Sequence, residues 1–189
     1  LGDMGERIRR GELGDVQQVR CLYVNGLMNT GSHLVDLLRL YLGEVKWVMA
    51  ERNSKAAHGN DMLVDGMLCF ERDIHVSLQS LDSIHYALFE LDFFGTKQFL
   101  SIKGLGQVVL LTGLRESNQY VAYKELDDRH SIRVAEEGRS FFKSMAEHVV
   151  DCLDGTREPA STGEDGLRAL QILFALRASA ETGGARVLL

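Results

Sequence analysis

The sequence predicts an α+β fold, a mostly antiparallel open sheet with helices packed on one face. Three observations point that way. Between Glu44 and Tyr123 the chain is a succession of short apolar segments with no helical pattern among them. The breaks between those segments, such as Glu71-Arg72-Asp73 and Gly95-Thr96, are too short for the crossover of a dozen or more residues that parallel neighbours need. Helical patterns lie only before and after this stretch, which leaves the helices to cover one side of the sheet.

The first fifteen residues read as a short helix ending at Arg9-Arg10-Gly11, with a turn at Glu12-Leu13-Gly14. A strand follows over Val19 to Tyr23, because Val19, Cys21 and Tyr23 share one face at period two. His33 to Leu42 is a helix, apolar around most of its circumference and stopped by Gly43. His33, Asp36 and Arg39 fall three apart on one narrow polar stripe, which must meet a cleft, a partner or a satisfied network. The strands are then Val45 to Met49, Met62 to Phe70, Ile74 to Leu81, Tyr86 to Phe94, Gln98 to Ile102, Val108 to Leu111 and Tyr120 to Tyr123, expected to pair as a meander. Ile74, Val76 and Leu78 alternate with His75, Ser77 and Gln79. Ala87, Phe89, Leu91 and Phe93 alternate with Tyr86, Leu88, Glu90 and Asp92, so one sheet face is covered and the other more open. Two helices close the chain. One runs from about Glu137 to Leu153 with a stripe of Phe142, Met145, Val149 and Cys152. The other opens on a capping-box pattern at Ser161-Thr162-Gly163-Glu164, runs to about Ala180, and is followed by a last strand over Ala185 to Leu189.

The 189 residues are 45% hydrophobic, with a single proline, Pro159, and no linker or repeat, so 1–189 reads as one domain. It opens on Leu1 in a helix-like stretch, as a piece of a longer polypeptide would. A net charge of −6 without a basic cluster excludes nucleic acid and anionic membrane as default partners. No apolar run approaches the roughly 18 residues of a membrane span and Leu1-Gly2-Asp3-Met4 does not read as a signal peptide, so the cytoplasm is the expected location. Cys21, Cys69 and Cys152 lie far apart inside apolar patterns and read as small buried hydrophobes, not a metal or disulfide framework.

Gly104-Leu105-Gly106 is a turn between strands, since a dinucleotide fingerprint would need a third glycine and a following helix. Among the six histidines, His75, His85 and His148 fall on polar faces, and His58 and His130 in loops. His33 differs because it follows Asn29-Thr30-Gly31-Ser32 at the mouth of a buried helix, with Asp36 one turn on. An imidazole there can exchange protons near neutral pH with a substrate hydroxyl, or can serve only to cap and satisfy the helix start.

Asn29-Thr30-Gly31-Ser32-His33-Leu34-Val35-Asp36-Leu37-Leu38-Arg39, followed by Gly43-Glu44-Val45, resembles the G-x-H-x-x-D-x-x-R segment in the C-terminal domain of the Gfo/Idh/MocA oxidoreductases. Gly11-Glu12-Leu13-Gly14-Asp15-Val16 is similar to the turn that opens that domain. Phe94-Gly95-Thr96-Lys97 is similar to a turn between its central strands, and Gly163-Glu164-Asp165-Gly166-Leu167 with Ser179-Ala180 to its last helix. The matches run in family order from about Leu13 to Leu188.

The resemblance implies the substrate-binding and oligomerisation half, of the glucose-fructose oxidoreductase type, of a two-domain enzyme whose other half, a Rossmann domain, binds NAD or NADP. No cofactor or metal ligand is expected in this chain, and the chain alone is expected to be inactive. The whole protein would be an NAD(P)-dependent oxidoreductase acting on a sugar or sugar-like polyol, with a lean toward nucleotide-linked sugars. His33 would position or deprotonate the reacting hydroxyl, Asn29 would orient, and Asp36 would hold His33 or bind a substrate hydroxyl. The family's frequent D-x-x-x-H pair is replaced here by Asn29 and His33, and an amide can orient but cannot ionise. Self-association is expected through the open sheet face, on residues such as Trp47 and Tyr86. The alternative is a non-catalytic binding or assembly module with the same fold.

Overall fold

A computed structural model describes residues 2–55, 61–133 and 141–189. Helix α1 (Gly2–Arg9) leads into strand β1 (Val16–Tyr23), helix α2 (Thr30–Leu42), and strands β2 (Val45–Arg52), β3 (Val64–Phe70) and β4 (His75–Ser80). Strands β5 (Phe89–Gly95), β6 (Phe99–Lys103) and β7 (Val108–Thr112) follow. After them come the hairpin β8 (Leu114–Glu116) and β9 (Lys124–Leu126), then β10 (Ile132–Arg133), α3 (Phe141–Leu153), α4 (Gly163–Glu181) and β11 (Val187–Leu188).

The main sheet has nine strands in the order β10-β7-β6-β5-β1-β4-β3-β2-β11. All neighbouring pairs are antiparallel except β1 with β4, which run parallel. The expected meander is therefore corrected at its centre, where β1 is inserted between the consecutive strands β4 and β5. The connection 81–88 has only to span two strand spacings of about 4.8 Å each, which an irregular segment of that length does easily. Its start is fixed where the Leu81 N–H donates to the Tyr23 carbonyl at 2.9 Å.

The period-two reading of β1 holds, since Val19, Cys21 and Tyr23 are fully buried under the helices. Register carries that inward row across the sheet, with Val76 and Leu78 on one side of β1 and Leu91 and Phe93 on the other. The Tyr23 hydroxyl donates to the Val64 carbonyl and accepts the Val64 N–H, both at 3.0 Å. A phenol is thereby satisfied inside the core, and burial pushes its pKa up. Helix α4 lies on β2, β3 and β11 and also against α2, and α1 packs on α2.

Two of the family-like turns meet in space. Thr96 accepts the Asp15 N–H on its Oγ1 at 3.0 Å, and the Lys97 N–H donates to the Leu13 carbonyl at 2.9 Å. The entry to β1 and the β5–β6 turn are thus one stitched unit.

Several expectations are corrected. Tyr120 to Tyr123 is not a strand but part of the exposed turn joining β8 to β9, whose pairing begins at Glu116 and Lys124. Strand β5 starts at Phe89, so Tyr86 and His85 sit in the exposed connection before it. Asp92 belongs to the outward row yet is only 2% exposed, because Arg20 pairs with it and Ser101 Oγ donates to it at 2.6 Å. The capping box of α4 is made by Thr162 and Asp165, not by Ser161 and Glu164. Helix α3 presents Phe142, Met145 and Val149 outward, and Cys152 on the same stripe is only half-buried. Its expected first residues, from Glu137, lie outside the described residues, as does His58.

Candidate functional site

The start of α2 is built by an unusual turn. After β1 the chain passes through Asn25 and Gly26, both at positive φ. A Cβ on Gly26 would stand 2.2 Å from Asp61 Oδ2, so glycine is required by contact as well as by its φ of 93°. The Asp61 carboxylate accepts the N–H of Met28 at 3.0 Å and that of Asn29 at 3.0 Å, and the Leu27 N–H donates to the Met62 carbonyl at 2.8 Å. Together these contacts tie the loop before α2 to the segment that enters β3. The N-cap amide of Asn29 and the amide before it thereby find a charged acceptor.

Asn29 is the N-cap of α2, but its side chain makes no capping hydrogen bond. Its carbonyl instead takes the Ser32 hydroxyl at 2.5 Å, so the amide is not consumed in holding the helix. His33 lies exposed in the first turns, whereas Leu34, Val35, Leu38, Tyr41 and Leu42 on the same helix are buried. Asp36 is half-buried. Among the described residues no hydrogen bond joins His33 to Asn29 or to Asp36. The expected pairing of Asp36 with His33 is therefore not formed in this arrangement.

Arg39, the last member of the polar stripe, has a structural role that the sequence left open. Its side chain is 8% exposed and pairs with Glu44 at 2.6 Å. It also donates to the Asp165 carbonyl at 3.0 Å and lies 3.6 Å from that residue's carboxylate. The hydrogen bond it donates to Glu44 and the nearby carboxylates raise the pKa of the guanidinium further, so it stays charged despite its burial. It clamps α2 and the turn after it to the first turn of α4. Gly43, at φ 90°, ends α2 and donates its N–H to the Arg39 carbonyl at 3.0 Å.

Beside Asn29 opens a cleft of about 770 Å³. One wall carries Met28, Asn29 and Asp61, the other Arg52 at the end of β2 with Arg177 and Glu181 from the last turns of α4. His33 is not among its lining residues, so the structure brings Asn29 but not His33 to the cleft. Asp61, Arg52 and Arg177 were not singled out from the sequence. The sequence before Asp61 has no periodicity, and the two arginines become neighbours only through the packing of α4 on β2.

Among the described residues neither glycine-containing turn has the form of a dinucleotide cradle. Gly104-Leu105-Gly106 is the turn between β6 and β7, with a strand and not a helix after it. Among the described residues the strand–turn–helix unit with glycine in its turn, β1 to α2, has the Asp61 carboxylate on the N–H of its N-cap residue Asn29 and of Met28 before it, an anion where a pyrophosphate would have to sit. Among the described residues no group of three or more His, Cys, Asp or Glu converges as a metal site. Other histidines have local partners: His75 meets the Trp47 ring edge-on at 5.6 Å, His130 bonds Asp127 at 2.7 Å, and His148 accepts the Ala160 N–H at 3.0 Å.

A family model described as the GFO/IDH/MocA C-terminal domain matches residues 24–101, the stretch from the loop before α2 through most of β6. Among solved structures, the chain is similar to the WlbA dehydrogenase from Bordetella pertussis, in complex with NADH and UDP-GlcNAcA. The TM-score is 0.71 at 20% identity, over 98% of this chain and 59% of that one. It is similar to the aldose-aldose oxidoreductase from Caulobacter crescentus, complexed with glycerol, at a TM-score of 0.74 and 18% identity, over 98% and 59% of the two chains. A levoglucosan dehydrogenase in complex with NADH and levoglucosan gives 0.75 and 13%, over 97% and 62%. At such identities the likeness is one of fold. The chain spans about 60% of the length of these structures. No curated protein matches it. No helix among the described residues is long and apolar enough to cross a membrane.

Proposed function

Taking the chain as a GFO/IDH/MocA C-terminal domain, matched by the family model over residues 24–101 and by fold over 97–98% of its length, we propose that it is the substrate-binding half of an NAD(P)-dependent sugar oxidoreductase. The observation that carries this reading is the start of α2. A helix with one face buried through Leu34, Val35, Leu38, Tyr41 and Leu42 starts with an exposed His33, preceded one turn earlier by an Asn29 whose amide is free of capping and lines a cleft. In that setting His33 positions or deprotonates the reacting hydroxyl of a sugar-like substrate, and Asn29 orients it through its carbonyl and NH₂. Asp36, unattached to His33, is available to a substrate hydroxyl. The dinucleotide belongs to a separate domain, since these residues offer it no cradle. The dehydrogenases of similar fold were crystallised with NADH, and with levoglucosan or UDP-GlcNAcA, which supports a sugar or nucleotide-linked sugar as the substrate class. The open sheet face is the surface of self-association.

The test is His33→Ala in the full-length protein with its dinucleotide-binding domain. A positioned acid or base contributes about 10²–10⁴-fold, so kcat falls by that range while the thermal midpoint is kept. Near-normal turnover in the folded variant would return His33 to a structural role and leave a binding module as the reading.

A further inference from the structure

We infer that the cleft beside Asn29 is an oxyanion site in which Arg52 binds a carboxylate or phosphate carried by the substrate. The inference rests on the reading of the α2 start as the substrate end and adds to it the charge of what binds there.

Register is the first support. Val48, Ala50 and Arg52 alternate onto the same side of β2, and the first two are buried beneath α4 at 0% and 2% exposure. Arg52 therefore continues a core-facing row at the point where the core opens into the cleft. A solvated arginine would stand equally well on the outward row of that strand, which holds the exposed Glu51.

Charge accounting is the second. The cleft holds two guanidiniums and two carboxylates, but three of these four groups are engaged. Arg177 Nε pairs with Glu181 at 2.9 Å, and Asp61 accepts the amides of Met28 and Asn29. The Arg52 side chain makes no ion pair or hydrogen bond among the described residues. Its planar fork of five donors, with no acceptor of its own, fits two oxygens of one anion better than it fits a neutral hydroxyl. The Asn29 amide on the facing wall supplies a neutral donor and acceptor for the rest of such a ligand.

The 189-residue chain, isotopically labelled, is titrated with glucose 1-phosphate, glucuronate and glucose, followed by amide shifts and calorimetry at low and high salt. At least one anionic probe binds more tightly than glucose, shifts the amides of Met28 and Asn29, and weakens with salt. Preference between the two anionic probes tells phosphate from carboxylate. Arg52→Gln weakens that probe about tenfold or more and leaves glucose unchanged, and Arg52→Lys lies between. Arg52 is exposed and unpaired, so both variants keep the thermal midpoint. The inference is overturned if neither anionic probe outbinds glucose, or if Arg52→Gln retains the affinity. Turnover of His33→Ala in the full-length protein tests the catalytic role of His33, and anion affinity of the wild-type chain against its Arg52 variants tests the oxyanion site, so the two readings fail separately.

Discussion

Asn29 and His33 stand one turn apart under different constraints. The backbone of Asn29 is fixed from both sides, its N–H by Asp61 and its carbonyl by Ser32, while its side chain is left to the cleft. An aspartate fits the same place, since the backbone contacts do not depend on the side chain. Asn29→Asp adds an anion near His33, and a nearby anion favours the imidazolium. In the full-length protein the acidic limb of the pH–rate profile then moves to higher pH, because more alkali is needed to reach the proton-accepting imidazole. A steady-state pH profile of kcat/KM measures this, and a limb that stays in place would show that the imidazole of His33 takes no part in the titration that limits the rate. The adjacent motif residue, Arg39, is a warning against reading a motif as chemistry throughout. Its guanidinium is occupied by Glu44 and Asp165 and cannot reach a substrate without breaking the α2–α4 clamp.

That clamp makes the first turn of α4 sensitive to acid. Asp165 accepts the Thr162 N–H at 2.9 Å and the Thr162 hydroxyl at 2.7 Å, and its own N–H donates to Thr162 Oγ1 at 3.3 Å. The Thr162 hydrogen bonds, with Arg39 behind them, hold the Asp165 carboxyl below its ordinary 3.8. A carboxylate with a depressed native pKa stabilises the fold fully above its unfolded value, and that stabilisation is lost as pH falls through the native value. The stability gap between wild type and Asp165→Asn, measured by urea unfolding, is therefore constant near neutrality and narrows in acid below 3.8. Thr162→Ala costs about 1 kcal/mol at neutral pH through loss of the cap. Equal narrowing for a distant exposed carboxylate would refute the assignment to this box. The sequence located this helix start to within one residue but placed the box on Ser161 and Glu164, because both pairs satisfy the S/T-x-x-D/E spacing and only the backbone path selects one. The same holds for the sheet. Periodicity in β1 and β4 fixed which residues face the helices, whereas the insertion of β1 between β4 and β5 is a pairing decision that no local pattern encodes. Asn29 and His33 stand out in the sequence because they share one short motif, and the structure places Asn29 at the cleft and His33 outside its lining; Asp61 and Arg52, brought to the α2 start by the sheet, carry no local signal.

At the scale of the whole molecule the uncovered sheet face poses the remaining physical problem. Register aligns Met49, Met67, Ser77, Arg20, Asp92 and Ser101 in one row across it. The row is apolar at one end, where Met49 and Met67 lie opposite each other at 37% and 39% exposure, and polar at its centre. There Asp92 is buried by Arg20 and Ser101, a pairing that removes the carboxylate from water without help from another chain. The methionine end has no such cover, and Leu188 beside it is 75% exposed. Trp47, expected to contribute exposed surface, is capped by the Arg186 guanidinium at 4.1 Å from the ring, and Tyr86 lies off the sheet, so the apolar contribution shifts from these aromatics to the methionines and Leu188. A second copy laid on this face would cover the apolar end and retain the internal ion pair at the centre. Sedimentation of the chain at micromolar concentration should then give a dimer or larger species. Met67→Lys should shift it toward monomer with the far-ultraviolet dichroism unchanged, because a two-fold contact doubles each added charge while the fold needs nothing from that side chain. A monomeric wild-type chain, or a Met67→Lys variant as associated as the parent, would move self-association to another surface.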